Sequence, residues 1–411
     1  MTEAQAPWVG TGDPEIEGFH HWNSELQQDP NEVISRIRET CPIAHSNQYG
    51  GFWILSKHDD MLRAYKEPET FSSTVGTIPA GGAGHVRPFI PNEIDPPDHT
   101  RYRQILAGRF NLASLRPLEP AIRGYVAELL DGIVARGECD YVAEFSDQLP
   151  TKVFLGFMGY PVEDAPMFKD WCVTLLQGVP GGTPEETAAA QAEIGAKLYG
   201  YFAAELAKRD GVEPATGPDS DFIDWLRASR FGGERPLSNE EILDIIFIVL
   251  LAGVDTTQAV LTFTMEFLAT HEEHRRDLAE HPEIMPTAVE EFVRRFAPVV
   301  ATRKLMRDIE MRGVPMKAGD MVMLLTMSAC QDTDEFPRAD EVDLRRAPNR
   351  HLGFGAGAHR CLGIHLARME LRIALEEWHK RIPEYRIKPG TEVTKHFGIV
   401  RGIDQLHLQL S

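Results

Sequence analysis

The chain carries 411 residues, with 42 Lys plus Arg against 62 Asp plus Glu and a formal net charge of -20. So acidic a chain is poorly suited to nucleic acid or an anionic membrane, and its length allows a large buried core. Cys41, Cys139, Cys172, Cys330 and Cys361 are odd in number and scattered, which fits reduced thiols in the cytoplasm better than a disulfide framework.

Residues 1–30 are polar and rich in Pro, Gly and His, with no basic segment leading into an apolar run. They are expected to drape over the surface of a single domain covering 1–411. A helix is expected over 32–39 and a strand at Gly51-Phe52-Trp53-Ile54-Leu55, paired through a turn at Asn47-Gln48-Tyr49-Gly50, before a helix over 59–65. From 72 to 94 no periodicity survives, because Gly76, Pro79, Gly81, Gly82, Gly84, Pro88 and Pro91 interrupt it. Irregular stretches of this kind serve as binding loops about as often as they are mobile surface.

Asp95-Pro96-Pro97 opens the next helix, with prolines where a helix start tolerates them. His99 and Arg103 share one of its faces, although basic pairs are most often solvated surface. Residues 117–210 hold amphipathic patterns, broken at Gly178-Val179-Pro180-Gly181-Gly182 between helices of 163–177 and 184–208. That break reads as a hinge.

Residues 240–269 are apolar nearly all round, the pattern of a helix through the core. Asp244 breaks its apolar run at 242–254, and no stretch reaches the roughly 18 residues of a membrane span. Inside lies Ala252-Gly253-Val254-Asp255-Thr256-Thr257. Glycine weakens a helix and a buried carboxylate needs a partner, so this stretch marks a functional candidate unless Thr256 merely bonds its own backbone. Glu291-Phe292-Val293-Arg294 places an acid and a base on one helical face, worth about 0.2–0.5 kcal/mol on a surface. Val299-Val300-Ala301-Thr302-Arg303 reads as extended, as do 314–325 and 396–410.

Phe354-Gly355-Ala356-Gly357-Ala358-His359-Arg360-Cys361-Leu362-Gly363 presents one thiol just before a helix-compatible run. Glycines let a large planar ligand approach the main chain, and the free amides of a helix start favour a charged sulfur. A thiolate held this way is an axial ligand for haem iron. A lone cysteine in such a turn is more often a small buried residue, and a zinc site with His351, His359 and His365 would lack the paired cysteines of structural zinc.

The complete Phe-Gly-x-Gly-x-His-x-Cys-x-Gly resembles the haem-binding signature of the cytochrome P450 family. The other stretches occur in that family's order, and the likeness runs from about residue 40 to the C-terminus. The chain most resembles the soluble bacterial class that includes the camphor hydroxylase. That resemblance implies a mainly α fold with small β-sheets, and haem b between a long buried helix and the Cys-bearing loop. By the same likeness Cys361 ligates the iron in a loop formed with Phe354, Gly355, Leu362 and Gly363. His99, Arg103, Arg303 and His359 hold the propionates. Ala252 and Gly253 make room for O2, Thr256 donates hydrogen bonds to oxygen, Asp255 relays protons, and Glu291 and Arg294 support the fold.

Substrate is expected against Val86, Phe89, Ile248, Leu251, Val299, Ile399 and Val400, an apolar set suited to a terpenoid-like molecule. The implied reaction inserts one atom of O2 into that molecule. Without a flavin or iron–sulfur motif of its own, the protein is expected to take electrons from a separate one, which the resemblance implies to be a ferredoxin with its NAD(P)H-dependent reductase, docking near Arg101, Arg109 and Arg360. The resemblance further implies a cytoplasmic monomer. Two departures stand out: Ala301 replaces an acid of the camphor hydroxylase, and His85-Val86-Arg87 lacks its camphor-bonding tyrosine. The rival readings are a haem-thiolate peroxygenase or isomerase, and a non-catalytic haem or gas binder.

Overall fold

The computed structural model describes residues 11–77, 87–179, 182–217 and 220–411. Strands distant in sequence assemble the main sheet: β1 (Ile43–Ser46), β2 (Phe52–Leu55), β3 (Phe71–Ser72), β4 (Val300–Leu305) and β5 (Met321–Leu325), in the order β1-β2-β5-β4-β3. β5 runs parallel to β2, with Val322 opposite Trp53, and antiparallel to β4, with Val322 opposite Arg303. The register therefore seats Arg303 in the middle of the sheet.

Helices make up most of the remainder: α1 (Asn31–Thr40), α2 (His58–Lys66), α3 (Asp98–Phe110), α4 (Glu119–Arg136), α5 (Gln148–Met158), α6 (Ala165–Gln177), α7 (Pro184–Ala207), α8 (Asn239–Thr270), α9 (Met285–Arg295) and α10 (Ile364–Arg381). Capping explains where the long ones begin. Thr183 with Glu186 starts α7 and Ser238 with Glu241 starts α8, each a reciprocal capping box that satisfies free backbone amides. α8 has 32 residues and so runs about 48 Å. It is long and apolar enough to cross a bilayer, yet most of it is buried inside the protein. Ile245, Phe247, Leu250, Val254 and Leu261 are fully enclosed by neighbouring helices.

The N-terminal expectation needs correcting from residue 16 onward. Ile16, Phe19 and Leu26 pack with Ile34 and Ile37 of α1, and the ring of Phe19 lies 6.1 Å from that of Phe397. These few apolar side chains are hidden in the sequence by the polar composition around them.

Glu291 and Arg294 have no exposed side-chain surface and pair at 2.8 Å on α9. Arg294 also donates to the carbonyls of Cys330, Ala339 and Glu341, while Glu291 accepts from Arg346, Asn349 and the amide of Asp343. What reads in the sequence as a common helical pair is a buried knot. It ties α9 to the irregular chain that leads into the cysteine loop.

Candidate active site

The cysteine loop folds back on itself before α10. The Cys361 amide donates to the Phe354 carbonyl at 2.8 Å, closing the turn. Gly357, at φ 65°, lies so close to α2 that a Cβ there would sit 2.1 Å from the Tyr65 carbonyl oxygen. Only glycine permits that approach. Burial pushes the Cys361 thiol up, whereas the Gly363 amide bonded to sulfur and then Arg103, Arg368 and Arg360 pull it down. These are the groups that would stabilise a thiolate once a metal replaces its proton.

A cavity opens beside Cys361, walled by α8 through Ile248, Val249, Ala252, Gly253, Thr256 and Thr257. Phe110, Phe154, Phe157 and Leu366 add apolar surface, and His99, Arg103, His359, Leu362 and Gly363 complete the region around the sulfur. The helix face explains which residues appear: 248, 249, 252, 253 and 256 share one side of a 3.6-residue spiral. Leu251 and Asp255 fall on the adjoining flank and are buried, outside the cavity wall. A Cβ at Gly253 would meet nothing within 4 Å. The helix thus leaves space where the resemblance puts oxygen.

Thr256 lines the cavity, but its hydroxyl donates backward to the Ala252 carbonyl at 2.8 Å. In this conformation the hydroxyl bonds its own helix, the alternative that the sequence left open for a buried threonine. Asp255 is held at 2.9 Å by Lys169 of α6, which also lies 3.2 Å from Asp147. Burial opposes the charge on Lys169, but Asp255 and Asp147 outweigh it and raise its pKa. Lys169 has no distinguishing mark in the sequence.

The four expected propionate ligands converge. The rings of His99 and His359 are 4.0 Å apart, and Arg303 influences both. Burial, then Arg103, lowers His99 to about 4; burial, then His99, lowers His359 to about 2. His99 Nδ1 and His359 Nε2 are buried without a hydrogen-bond partner. Arg103 donates to the Arg360 carbonyl and Arg303 to that of Thr302, both at 2.7 Å. Among the described residues neither arginine meets a carboxylate. Unpartnered ring nitrogens and unneutralised guanidiniums around one thiol fit a planar cofactor that brings its own carboxylates.

Other expected residues sit elsewhere. Phe354 and Gly355 line a separate recess on the outer side of the loop, where Arg368 lies 5.2 Å over the Phe354 ring. Of the expected substrate contacts, Ile248 is in the wall. Phe89 is buried and stacked on Phe247 at 5.3 Å. Val299 bridges Val400, and Val300 donates to the Ile399 carbonyl, so these three are brought together but outside the wall. Val86 lies outside the described residues.

Three features have no clear signal in the sequence. Asn92 reaches the cavity from the loop before α3. Arg87, Tyr199 of α7 and Asp244 of α8 form a clasp: Arg87 bonds the buried carboxylate through Nε at 3.0 Å and Nη2 at 2.9 Å, and the Tyr199 hydroxyl donates at 2.8 Å. Phe247 beneath it is stacked by Tyr199 at 4.8 Å.

The third is Glu370 of α10, a cavity residue whose Oε2 is buried without a partner and whose pKa burial raises well above its ordinary value. Below the unfolded carboxyl value of about 4.3, folded and unfolded chains both carry this proton. Above it the unfolded chain releases the proton while the folded chain keeps it, so this group costs stability as pH rises. Glu370→Gln is expected to raise the melting temperature near neutral pH and to leave it unchanged near pH 4. Parallel melting curves of both proteins across that range provide the check.

Groups arranged in this way make a haem-thiolate protein. The family model described as Cytochrome P450 matches residues 173–285 and 276–393. The chain is 36% identical over 374 residues to the mycinamicin IV hydroxylase/epoxidase of Micromonospora griseorubida, with 88% of each chain covered. It is 33% identical over 386 residues to the probable cytochrome P450 127A1 of Sinorhizobium fredii, covering 92% of this chain and 90% of that one. The crystal structure of CYP101J2 is similar with a TM-score of 0.83 and 30% identity, and 96% of each chain is covered. The chain belongs to the cytochrome P450 family. It is a monooxygenase that uses haem b, with a cysteine thiolate on the iron, and O2.

Proposed function

We propose that the substrate is a small, mostly hydrocarbon molecule of terpenoid type, into which one atom of O2 enters at a C–H or C=C bond while the other leaves as water. The apolar residues that α8 turns into the cavity, Ile248 and Val249, with Phe89 stacked next to them on Phe247, carry this reading. Bound haem supplies the redox chemistry, with the thiolate push favouring O–O cleavage. Cys361 holds the iron, and the Gly363 amide tempers its charge. Arg103, Arg303, His99 and His359 hold the carboxylates. Thr256 turns its hydroxyl toward oxygen in the cavity as a hydrogen-bond donor, and Asp255, held by Lys169, helps relay protons from solvent.

Electrons come from a ferredoxin with an NAD(P)H-dependent reductase, to a monomer in the cytoplasm. The docking role falls chiefly on exposed Arg360. Arg101 is paired with Asp98, and Arg109 donates to the Ser220 carbonyl while lying over Trp225. Product formation from a terpenoid panel is to be compared between the reconstituted electron chain and hydrogen peroxide alone. Equal turnover with peroxide would replace the ferredoxin reading by a peroxygenase. Thr256→Ala is expected to keep haem but to release much of the NAD(P)H-derived reducing power as hydrogen peroxide. Unchanged coupling of NAD(P)H to product would remove Thr256 from proton delivery.

A further inference from the structure

The buried lysines and arginines outside the cofactor position are, with one exception, paired. Lys169 meets Asp255, Arg275 meets Glu384 and Arg294 meets Glu291, each at 2.9 Å or less. Arg401 is 5% exposed and meets no carboxylate among the described residues. Its Nε and Nη2 are both buried without a hydrogen-bond partner. Burial, and then the charge of Arg295, lower its pKa to about 10, so it remains a cation at neutral pH. An enclosed guanidinium that keeps its charge and lacks a partner is costly, and such a group calls for a bound water or ion.

The surroundings favour an ion of negative charge. Arg401 lies 4.9 Å from the centroid of the Phe263 ring on α8, and Arg295, the last residue of α9, lies 5.7 Å from that of Phe296. The two rings are stacked at 14° with centroids 6.0 Å apart. One aromatic platform thus carries two guanidiniums, and Arg295 bonds only the Asp340 carbonyl, at 3.3 Å. Two acids act on Arg401 from a distance, Asp29 and Glu266. Glu266 is engaged by Lys395 at 2.7 Å, and Asp29 accepts from the Asn31 amide at 2.9 Å. Water at the orphaned N–H groups would leave two like charges side by side. An oxoanion supplies acceptors and charge together, in the geometry that a guanidinium fork matches.

We propose that Arg401 and Arg295 bind a small oxoanion, a phosphate or a carboxylate, between the end of α9 and the strand Gly402–Gln405. The site shares no residue with the cavity wall. Its occupant ties together the chain on both sides of the Val299–Val400 bridge, where the Arg401 amide already donates to the Pro298 carbonyl at 3.0 Å.

The test uses the haem-loaded enzyme in bis-tris chloride at fixed ionic strength, with chloride replaced stepwise by phosphate or by acetate. The melting temperature is expected to rise saturably with at least one of them, and the one that saturates identifies the class of oxoanion. Half of the rise should come at about 1 mM, the affinity that two charge-assisted hydrogen bonds give. Titration calorimetry should find one site per chain. Arg401→Leu and Arg295→Gln should each raise the half-saturating concentration at least about tenfold, and Asp29→Asn should lower it about threefold by removing a repelling charge. If Arg401→Leu does not fold, the half-buried Arg295 decides through Arg295→Gln. No saturable response to either anion in the wild type overturns the inference, and so does an equal response in the wild type and the arginine variants, which marks a general salt effect. A phosphate-insensitive wild type whose melting temperature falls in Asp29→Asn would make Asp29 the partner of Arg401 and overturn it as well.

Discussion

Arg294→Ala is expected to yield no folded haem protein. Breaking a buried pair by removing one partner costs about 3–5 kcal/mol, because the other charge stays behind without compensation. Here the loss is compounded by three carbonyls, those of Cys330, Ala339 and Glu341, which lose the guanidinium that satisfies them. Native proteins have only about 5–15 kcal/mol of net stability. Arg294→Lys should fail nearly as badly, since an ammonium cannot span the Glu291 fork and three carbonyls together. Soluble yield, haem content and the urea midpoint give the measure. A variant with wild-type haem content and midpoint would show that the knot is dispensable.

Cys361→His has the other large effect, on chemistry rather than on folding. The red-shifted Soret band that a thiolate gives in the reduced, carbon monoxide-bound protein should vanish, and oxygenation should fall to background. The surroundings are built for sulfur: the Gly363 amide and the field of Arg103, Arg368 and Arg360 favour an anion, and an imidazole ligand is neutral. Persistence of the thiolate band in the variant would mean that a different residue binds the iron.

Features that depend on local chain chemistry are legible in the amino-acid sequence. The glycine loop with its single cysteine, the all-round apolar helix and the two helices flanking the 178–182 break each follow from residue type and spacing. Expected spans of 240–269 and 184–208 correspond to Asn239–Thr270 and Pro184–Ala207 in the fold. What the sequence hides depends on tertiary neighbours. Nothing marks Lys169 as the partner of Asp255, because its helix shows only an ordinary amphipathic pattern and the two residues are 86 positions apart. The same holds for Arg87 and Asp244, 157 apart. Leu251 is apolar and central, which places it in the expected wall, but helix phase turns it onto the flank shared with Asp255. Asn92 carries no signal of its own, because an asparagine before a proline-rich helix start reads as turn chemistry.

The Arg87–Tyr199–Asp244 clasp joins α7 and the Arg87 segment to α8 through one buried carboxylate. Any excursion that lifts α7 and the Arg87 segment from α8 must rehydrate Asp244 and Arg87. Water then returns much of what their pairing had gained, so the bias toward the joined form is far smaller than three hydrogen bonds suggest. A molecule that stays bound only while these elements are parted sees its intrinsic affinity scaled by the fraction of protein that is parted. A substrate that also touches the joined form recovers that loss after entry. Two ligands with identical contacts inside the joined cavity therefore share one equilibrium affinity and differ in how fast each enters and leaves, by the width of opening each one requires.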